Sequence, residues 1–165
     1  MSKAVFFDRD GVINFERGEY TYLPKDFVIN EGIIPSLKKL QEQGFLLIIV
    51  SNQGGISKEL YTKEQVEEVH QYLMDELKKH EIQLTEIYYC PHHAAFENCL
   101  CRKPKSLMLE KAIARFDIDI HPSYMIGDSE RDITAAEKVG LNTIKIEPNE
   151  SIEKYVDKII YNNEA

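Results

Sequence analysis

The chain has 165 residues, a length that suits a single domain spanning residues 1–165 around one core. Its composition, 43% hydrophobic and 29% charged, is that of an ordinary soluble globular protein, and no apolar run approaches the ~18 residues of a membrane span. The formal net charge of −8 argues against nucleic-acid or anionic-membrane surfaces, which demand basic patches; it leaves room for a small phosphorylated ligand held by a local cluster such as Arg102, Lys103 and Lys105.

Met1-Ser2-Lys3-Ala4 leads into an apolar strand without the pattern of a secretory signal, so a cytoplasmic protein is expected. Residues 4–7 form a short apolar run before a polar turn, the pattern of a buried strand. Ile33, Leu37 and Leu40 recur at helical spacing, and Gly44 can end that helix. Residues 45–50 are a continuous apolar run, as in a parallel strand covered on both faces. Thr62 caps a helix running to Lys79, with Gln65 at the capping-box position. Residues 87–89 are a third strand, 107–116 a helix, 124–126 a fourth strand, 132–139 a helix stopped by Gly140, and 143–146 a fifth strand. The tail from Ser151 is left unassigned. There is no internal repeat, low-complexity tract or linker.

Strand alternating with helix predicts an α/β fold with a parallel sheet and right-handed crossovers. In such sheets, ligands bind outside the carboxyl ends of the strands. The residues at those ends are Asp8 and Asp10, Ser51 and Asn52, the stretch from Cys90 onward, and Asp128. All are polar or potential ligands.

Asp8-Arg9-Asp10-Gly11 places two carboxylates two residues apart after the first strand, with Gly11 allowing a sharp turn. Two close carboxylates repel unless a cation lies between them or one is protonated. Mg²⁺ takes a few carboxylates together with water and phosphate oxygens, so the pair suggests a Mg²⁺ site with one acid free for proton transfer. An exposed acidic turn is the plainer alternative. Ser51-Asn52-Gln53-Gly54-Gly55 offers a hydroxyl, amides and a glycine-rich turn to a phosphate; alone it reads equally as a strand-to-helix turn. Arg102-Lys103 supplies a bidentate donor and a compact cation, or else a solvated basic turn. Gly127-Asp128 opens a second acidic loop, in which Asp132 lies four residues on and can serve as a helix cap.

Taken in order, Asp8-x-Asp10-Gly11-Val12, Ser51, Lys103 and Gly127-Asp128-x-x-x-Asp132 resemble the signature motifs of the haloacid dehalogenase superfamily of phosphatases. The resemblance covers residues 4 to about 147. It implies a Rossmann-like three-layer α/β/α sandwich with a central parallel sheet and no large cap domain. It also implies a Mg²⁺-dependent phosphoric monoester hydrolase working through an aspartyl-phosphate. Asp8 would be the nucleophile and Asp10 the general acid/base. Ser51, Asn52 and Arg102 would bind the phosphate or substrate, and Lys103 would stabilise the intermediate. Asp8, the Asp10 backbone carbonyl and Asp128 would hold Mg²⁺.

A narrower resemblance lies in Cys90-Pro91-His92-His93 … Cys99-Leu100-Cys101-Arg102-Lys103-Pro104. It is similar to the zinc loop of a subgroup containing D-glycero-D-manno-heptose-1,7-bisphosphate 7-phosphatases and histidinol-phosphatases. Cys90, His92, Cys99 and Cys101 make a CxH…CxC set fit for structural, tetrahedral Zn²⁺ across a loop at about 90–101, and His93 could replace His92. The alternative is a set of unpaired thiols beside a chance histidine.

Asp10-Gly11-Val12-Ile13-Asn14, Gly18-x-Tyr20 and Cys-Pro-His-His resemble the heptose branch. The short span from His92 to Cys99, and Ser129 in a position where heptose enzymes often have Lys, point the other way. The expected substrate is therefore the heptose bisphosphate, losing its 7-phosphate, with histidinol phosphate as the alternative. The expected partner is a small phosphorylated metabolite, with no nucleic acid, no membrane and a monomeric chain. Two other classes are kept open: a phospho-acceptor signalling domain, which would not need Asp10, and a zinc-dependent interaction module, which would leave the acidic loops without a purpose.

Overall fold

The computed structural model describes residues 1–164. Its strands are β1 (Lys3–Phe7), β2 (Phe45–Asn52), β3 (Glu86–Cys90), β4 (Tyr124–Gly127) and β5 (Asn142–Lys145). The helices are α1 (Ile33–Glu42), α2 (Lys63–Lys78), α3 (Leu107–Arg115), α4 (Glu130–Lys138) and α5 (Glu153–Glu164), with a single 3₁₀ turn at Pro24–Asp26. The five strands form one parallel sheet in the order β3-β2-β1-β4-β5. This is the expected α/β architecture.

The pleat sends alternate residues of each strand to opposite faces. Val5, Phe7, Leu47, Ile49 and Ile126 pack with α1, α2 and α5 through Leu37, Leu40, Val69, Leu73 and Ile159. Ala4, Phe6, Ile48, Val50 and Met125 pack on the other face against α3 and α4 through Met108, Leu109, Ala112, Ala135 and Ala136. Helix layers on both faces explain why the central strands are apolar throughout instead of alternating. Each fully buried Leu, Ile or Phe contributes roughly 1.5–3 kcal/mol.

α2 and α4 begin at capping boxes. Thr62 Oγ1 accepts from the Gln65 amide at 3.2 Å and Gln65 Oε1 from the Thr62 amide at 2.9 Å. Ser129 and Asp132 make the second box, so α4 starts two residues before the expected Asp132, which lies in its first turn. α5, in the unassigned tail, buries Val156 and Ile159. β2 runs two residues past Val50, so Ser51 and Asn52 belong to the strand itself, where they pair with Tyr89 and Cys90.

The chain builds from β1 outward through β2 and β3, then crosses back to lay β4 and β5 on the other side of β1. The strand order reverses between β1 and β4, and a crevice opens at the carboxyl ends of that pair. Asp8 follows β1 and Asp128 follows β4.

Candidate active site

Asp8 is tied to the neighbouring strand by its amide, which donates to the Ile126 carbonyl at 3.1 Å. The turn that follows closes on the Arg9 carbonyl, which accepts from the amides of Val12, Ile13 and Asn14 at 3.2, 2.8 and 3.1 Å. Gly11 sits in the left-handed region with φ +88°, and a Cβ there would lie 2.1 Å from Asp128 Oδ2. The glycine therefore permits both the turn and the approach of the second acidic loop.

Lys103 joins these loops from the opposite side. Its side chain is buried, and Nζ donates to Asp8 Oδ1 at 2.9 Å, Asp132 Oδ1 at 2.6 Å and the Val50 carbonyl at 2.7 Å. All three ammonium donors are thus engaged. Burial works against the charge on Lys103, but Asp8 and Asp132 outweigh it together and hold the group protonated above its usual range. Asp132 is also fixed through Oδ2, which accepts from the Ser129 amide at 3.2 Å.

Carboxylate oxygens of Asp8, Asp128 and Asp132 lie within 4.8 Å of one another. Burial raises the Asp8 carboxyl well above its ordinary value; Lys103 opposes this, while Asp132 and Asp128 add to it. Asp128 is raised for the same first reason, with Asp132 adding and a hydrogen bond from Asp8 opposing. Three carboxylates thus face one ammonium. The surplus of hard oxygen donors fits a divalent cation such as Mg²⁺. Asp132 is already engaged by Lys103 and Ser129, so Asp8 and Asp128 are the members with oxygens to offer.

Asp10 points to the same crevice in a different setting. Oδ1 accepts from Arg9 Nη2 at 2.8 Å and Asn14 Nδ2 at 3.0 Å, and Oδ2 accepts from Gln53 Nε2 at 3.0 Å. Burial alone would raise this carboxyl; the Arg9 charge and the hydrogen bonds from Arg9, Asn14 and Gln53 more than reverse it, and the net shift is downward. Arg9 is wholly buried. It also donates to the Thr21 carbonyl at 2.8 Å and lies 5.6 Å from the Phe27 ring centroid. Its Nη1 meets His70 Nε2 at 3.4 Å. Burial, with Arg9 second, depresses His70 to about 3, so the ring stays neutral and can accept.

Ser51 is buried, and its Oγ accepts from Gln53 Nε2 at 2.8 Å. Asn52 brackets the Lys103 backbone: Oδ1 accepts from the Lys103 amide at 3.0 Å and Nδ2 donates to the Lys103 carbonyl at 3.1 Å. Its second Nδ2 hydrogen remains for another acceptor. Arg102 donates from Nη1 to the His92 carbonyl at 3.0 Å and, with His93, crowds Gly54. Asn52, Gln53, Arg102 and Lys103 line, with the acidic residues, a cavity of about 520 Å³, with Tyr20 and Arg131 at other parts of its wall.

Behind Arg102, Cys90, His92, Cys99 and Cys101 converge. Cys90 Sγ lies 3.8 Å from Cys99 Sγ and 3.0 Å from Cys101 Sγ, and His92 Nδ1 lies 3.4 Å from Cys90 Sγ and 3.3 Å from Cys101 Sγ. A tetrahedral site with Zn–S bonds of ~2.3 Å puts its sulfurs roughly 3.8 Å apart; the Cys90–Cys99 pair has that spacing, the 3.0 Å Cys90–Cys101 pair would open to reach it, and three thiols with one imidazole are the donor types of such a site. Burial pushes the Cys90 thiol up. It opposes ionisation of Cys99 too, but amide donors from Arg102 and Cys101 bring that thiol down to about 7. His93, the alternative ligand, instead accepts from the Ala95 amide at 3.1 Å.

The chain matches a family model described as HAD-hydrolase-like over residues 100–158. It is 40% identical over 147 residues to a Haemophilus ducreyi protein named D-glycero-beta-D-manno-heptose-1,7-bisphosphate 7-phosphatase, covering 86% of this chain and 80% of that protein. The chain belongs to the HAD-like phosphatases. A second relative of this HAD-like phosphatase, from Campylobacter jejuni, bears the name of the alpha-anomer enzyme and is 38% identical over 143 residues, covering 87% of this chain and 81% of its own. Among solved structures, the D,D-heptose 1.7-bisphosphate phosphatase from B. bronchiseptica, complexed with magnesium and phosphate, aligns with a TM-score of 0.90 at 21% identity over 97% of this chain and 99% of that one. That likeness shows the shared fold.

The structure gathers Asp8, Asp10, Asn52, Arg102, Lys103 and Asp128 of this HAD-like phosphatase around one cavity; Ser51 is buried outside its lining, hydrogen-bonded to Gln53, which does line it. Sequence reasoning passed over Tyr61 and His70 altogether, and saw in Arg9, Asn14 and Gln53 only their motifs. The alternation of buried positions in α2 places His70 on the apolar face with Val66, Val69 and Leu73, which was the one available signal.

Proposed function

We propose that this phosphatase removes the 7-phosphate of D-glycero-D-manno-heptose 1,7-bisphosphate by transfer through Asp8. The carrying observation is the bridge of Lys103 Nζ between Asp8 at 2.9 Å and Asp132 at 2.6 Å, with Asp128 beside them and Asp10 across the crevice. The names of the relatives support the substrate.

An Asp8 oxygen attacks phosphorus as the bond to the sugar oxygen breaks; Asp10, a carboxylate in the free site, takes up a proton as the anionic phosphate enters beside it and gives that proton to the leaving oxygen. The product sugar departs and a water takes its place. Asp10, now a carboxylate, removes a proton from the water as it attacks the phosphorus of the acyl phosphate, releasing inorganic phosphate and restoring Asp8. Lys103 counters negative charge on the phosphoryl group and stays protonated throughout. The Ser51 hydroxyl accepts from Gln53 and so has its own hydrogen free for a phosphate oxygen, as does the second Nδ2 hydrogen of Asn52. Arg102 offers the remaining guanidinium donors at the cavity wall. Asp8, Asp128 and the Asp10 carbonyl would hold Mg²⁺, which supplies positive charge for the transferring phosphoryl oxygens. Cys90, His92, Cys99 and Cys101 would hold Zn²⁺ as a structural ion stiffening the loop that carries Arg102 and Lys103.

A head-to-head assay of both heptose bisphosphate anomers and histidinol phosphate tests the reading. The expected result is a specificity constant for a heptose bisphosphate at least about a hundredfold above that for histidinol phosphate, with turnover abolished by Asp8→Asn. A higher constant for histidinol phosphate would overturn the substrate; stoichiometric phosphorylation without turnover would overturn the mechanism.

A further inference from the structure

Gln53 is buried, and its side-chain amide has a partner at each end. Nε2 donates to Asp10 Oδ2 at 3.0 Å and to Ser51 Oγ at 2.8 Å, while Oε1 accepts from Tyr61 Oη at 2.8 Å. The Tyr61 ring is seated just as firmly. It stacks on Tyr22 at 5.1 Å, meets the edge of Tyr20 at 5.6 Å, and lies where a Cβ on Gly55 would be 2.0 Å from its Cε1. Burial first, with Asp10 adding and Arg9 opposing, raises its hydroxyl to about 12. Tyr61 thus keeps its proton, and in this geometry its hydroxyl donates to the Gln53 carbonyl.

This arrangement bears on where the proton of Asp10 goes. Oδ1 already takes two donors, Arg9 Nη2 and Asn14 Nδ2, whereas Oδ2 takes one. A proton on this carboxyl therefore resides on Oδ2, the oxygen beside Gln53. An amide turned the other way would place its carbonyl there and accept that proton in a hydrogen bond, away from the substrate. With Oε1 held by Tyr61, the amide presents only N–H.

We propose that Gln53 and Tyr61 act as a positioning pair that keeps a donor, never an acceptor, against the acid/base carboxyl of Asp10, directing its proton to the leaving oxygen. The proposal rests on the role given to Asp10 above and extends it to two residues that no motif assigns. It also links proton delivery to the segment that carries Tyr20, which lines the cavity and packs against Tyr61.

The test exploits the acidity of the leaving group. With Mg²⁺ present, kcat/KM covers the steps up to departure of the alcohol. Nitrophenolate leaves without a proton, whereas phenolate benefits from one. Tyr61→Phe keeps the ring and its stacking and removes only the hydroxyl; Gln53→Glu places an acceptor against Asp10. For both variants the expected loss in kcat/KM is about tenfold or more on phenyl phosphate and under about threefold on p-nitrophenyl phosphate. An equal proportional loss on the two esters, or no loss on either, overturns the proposal. Where Gln53→Glu fails to fold, Tyr61→Phe alone decides. Asp8→Asn run alongside separates the two levels: retained turnover there would sink the underlying mechanism, whatever the leaving-group dependence.

Discussion

Gly11 shows how one residue can serve chain geometry and chemistry together. Its φ of +88° favours glycine, and the missing Cβ leaves the space that Asp128 Oδ2 occupies. We expect Gly11→Ala to lose about 1–2 kcal/mol of stability from the left-handed backbone. Because Asp128 must also shift, the Mg²⁺ concentration for half-maximal turnover should rise by about tenfold or more. A Mg²⁺ titration of activity beside a thermal melt checks both, and an unchanged Mg²⁺ requirement would show that Asp128 does not serve the cation. The acidic residues themselves were legible because a carboxylate just past a buried strand stands out. Arg9 was not: in the sequence it is a charged residue in a turn, which solvent normally covers, yet it is fully buried with partners 12 and 61 residues away. Partners at that remove leave no periodic trace in the sequence.

At the scale of elements, the strands and most helices were readable because their signals are local. Apolar runs mark β1 and β2, and the Thr62–Gln65 capping box marks α2. Boundaries moved where two signals competed: Asp132 looked like a cap, but Ser129 holds that position and Asp132 reaches back to its amide. The loops were legible as clusters of like side chains and illegible as paths. In the loop between β3 and α3, Cys99 Sγ accepts from the Arg102 amide at 3.4 Å, so the cysteine cluster and the cavity-lining Arg102 share a hydrogen bond. We expect about one Zn²⁺ per chain by elemental analysis. Cys99→Ser should lower kcat/KM by about tenfold to a hundredfold, as loss of a metal's support commonly does, with Mg²⁺ affinity preserved. A zinc-free protein with full activity would remove the stiffening role from this loop.

Over the whole molecule, function and stability pull in opposite directions at the crevice between β1 and β4. Two apolar faces of one sheet hold the fold together, while three carboxylates meet one ammonium at its edge. Burial and mutual repulsion raise the Asp8 and Asp128 carboxyls, so without a cation this pair binds more protons in the folded chain than in the unfolded one. Stability from this pair is therefore greatest below the ordinary carboxylate range and is lost as pH rises through the raised values. Asp128→Asn removes one of the opposed charges. In chelator at neutral pH the variant should melt about 2–4 °C above the parent, equivalent to roughly 1 kcal/mol, and its melting temperature should depend less on pH. Adding Mg²⁺ should reverse the ranking. The parent gains about 2.7 kcal/mol at a hundredfold excess over its dissociation constant, and the variant gains little. Thermal melts in chelator and in Mg²⁺ across this pH range read all three effects. A parent more stable than the variant in chelator would mean that Asp128 is held for the fold, and that the surplus of carboxylates is not the feature that calls for a cation.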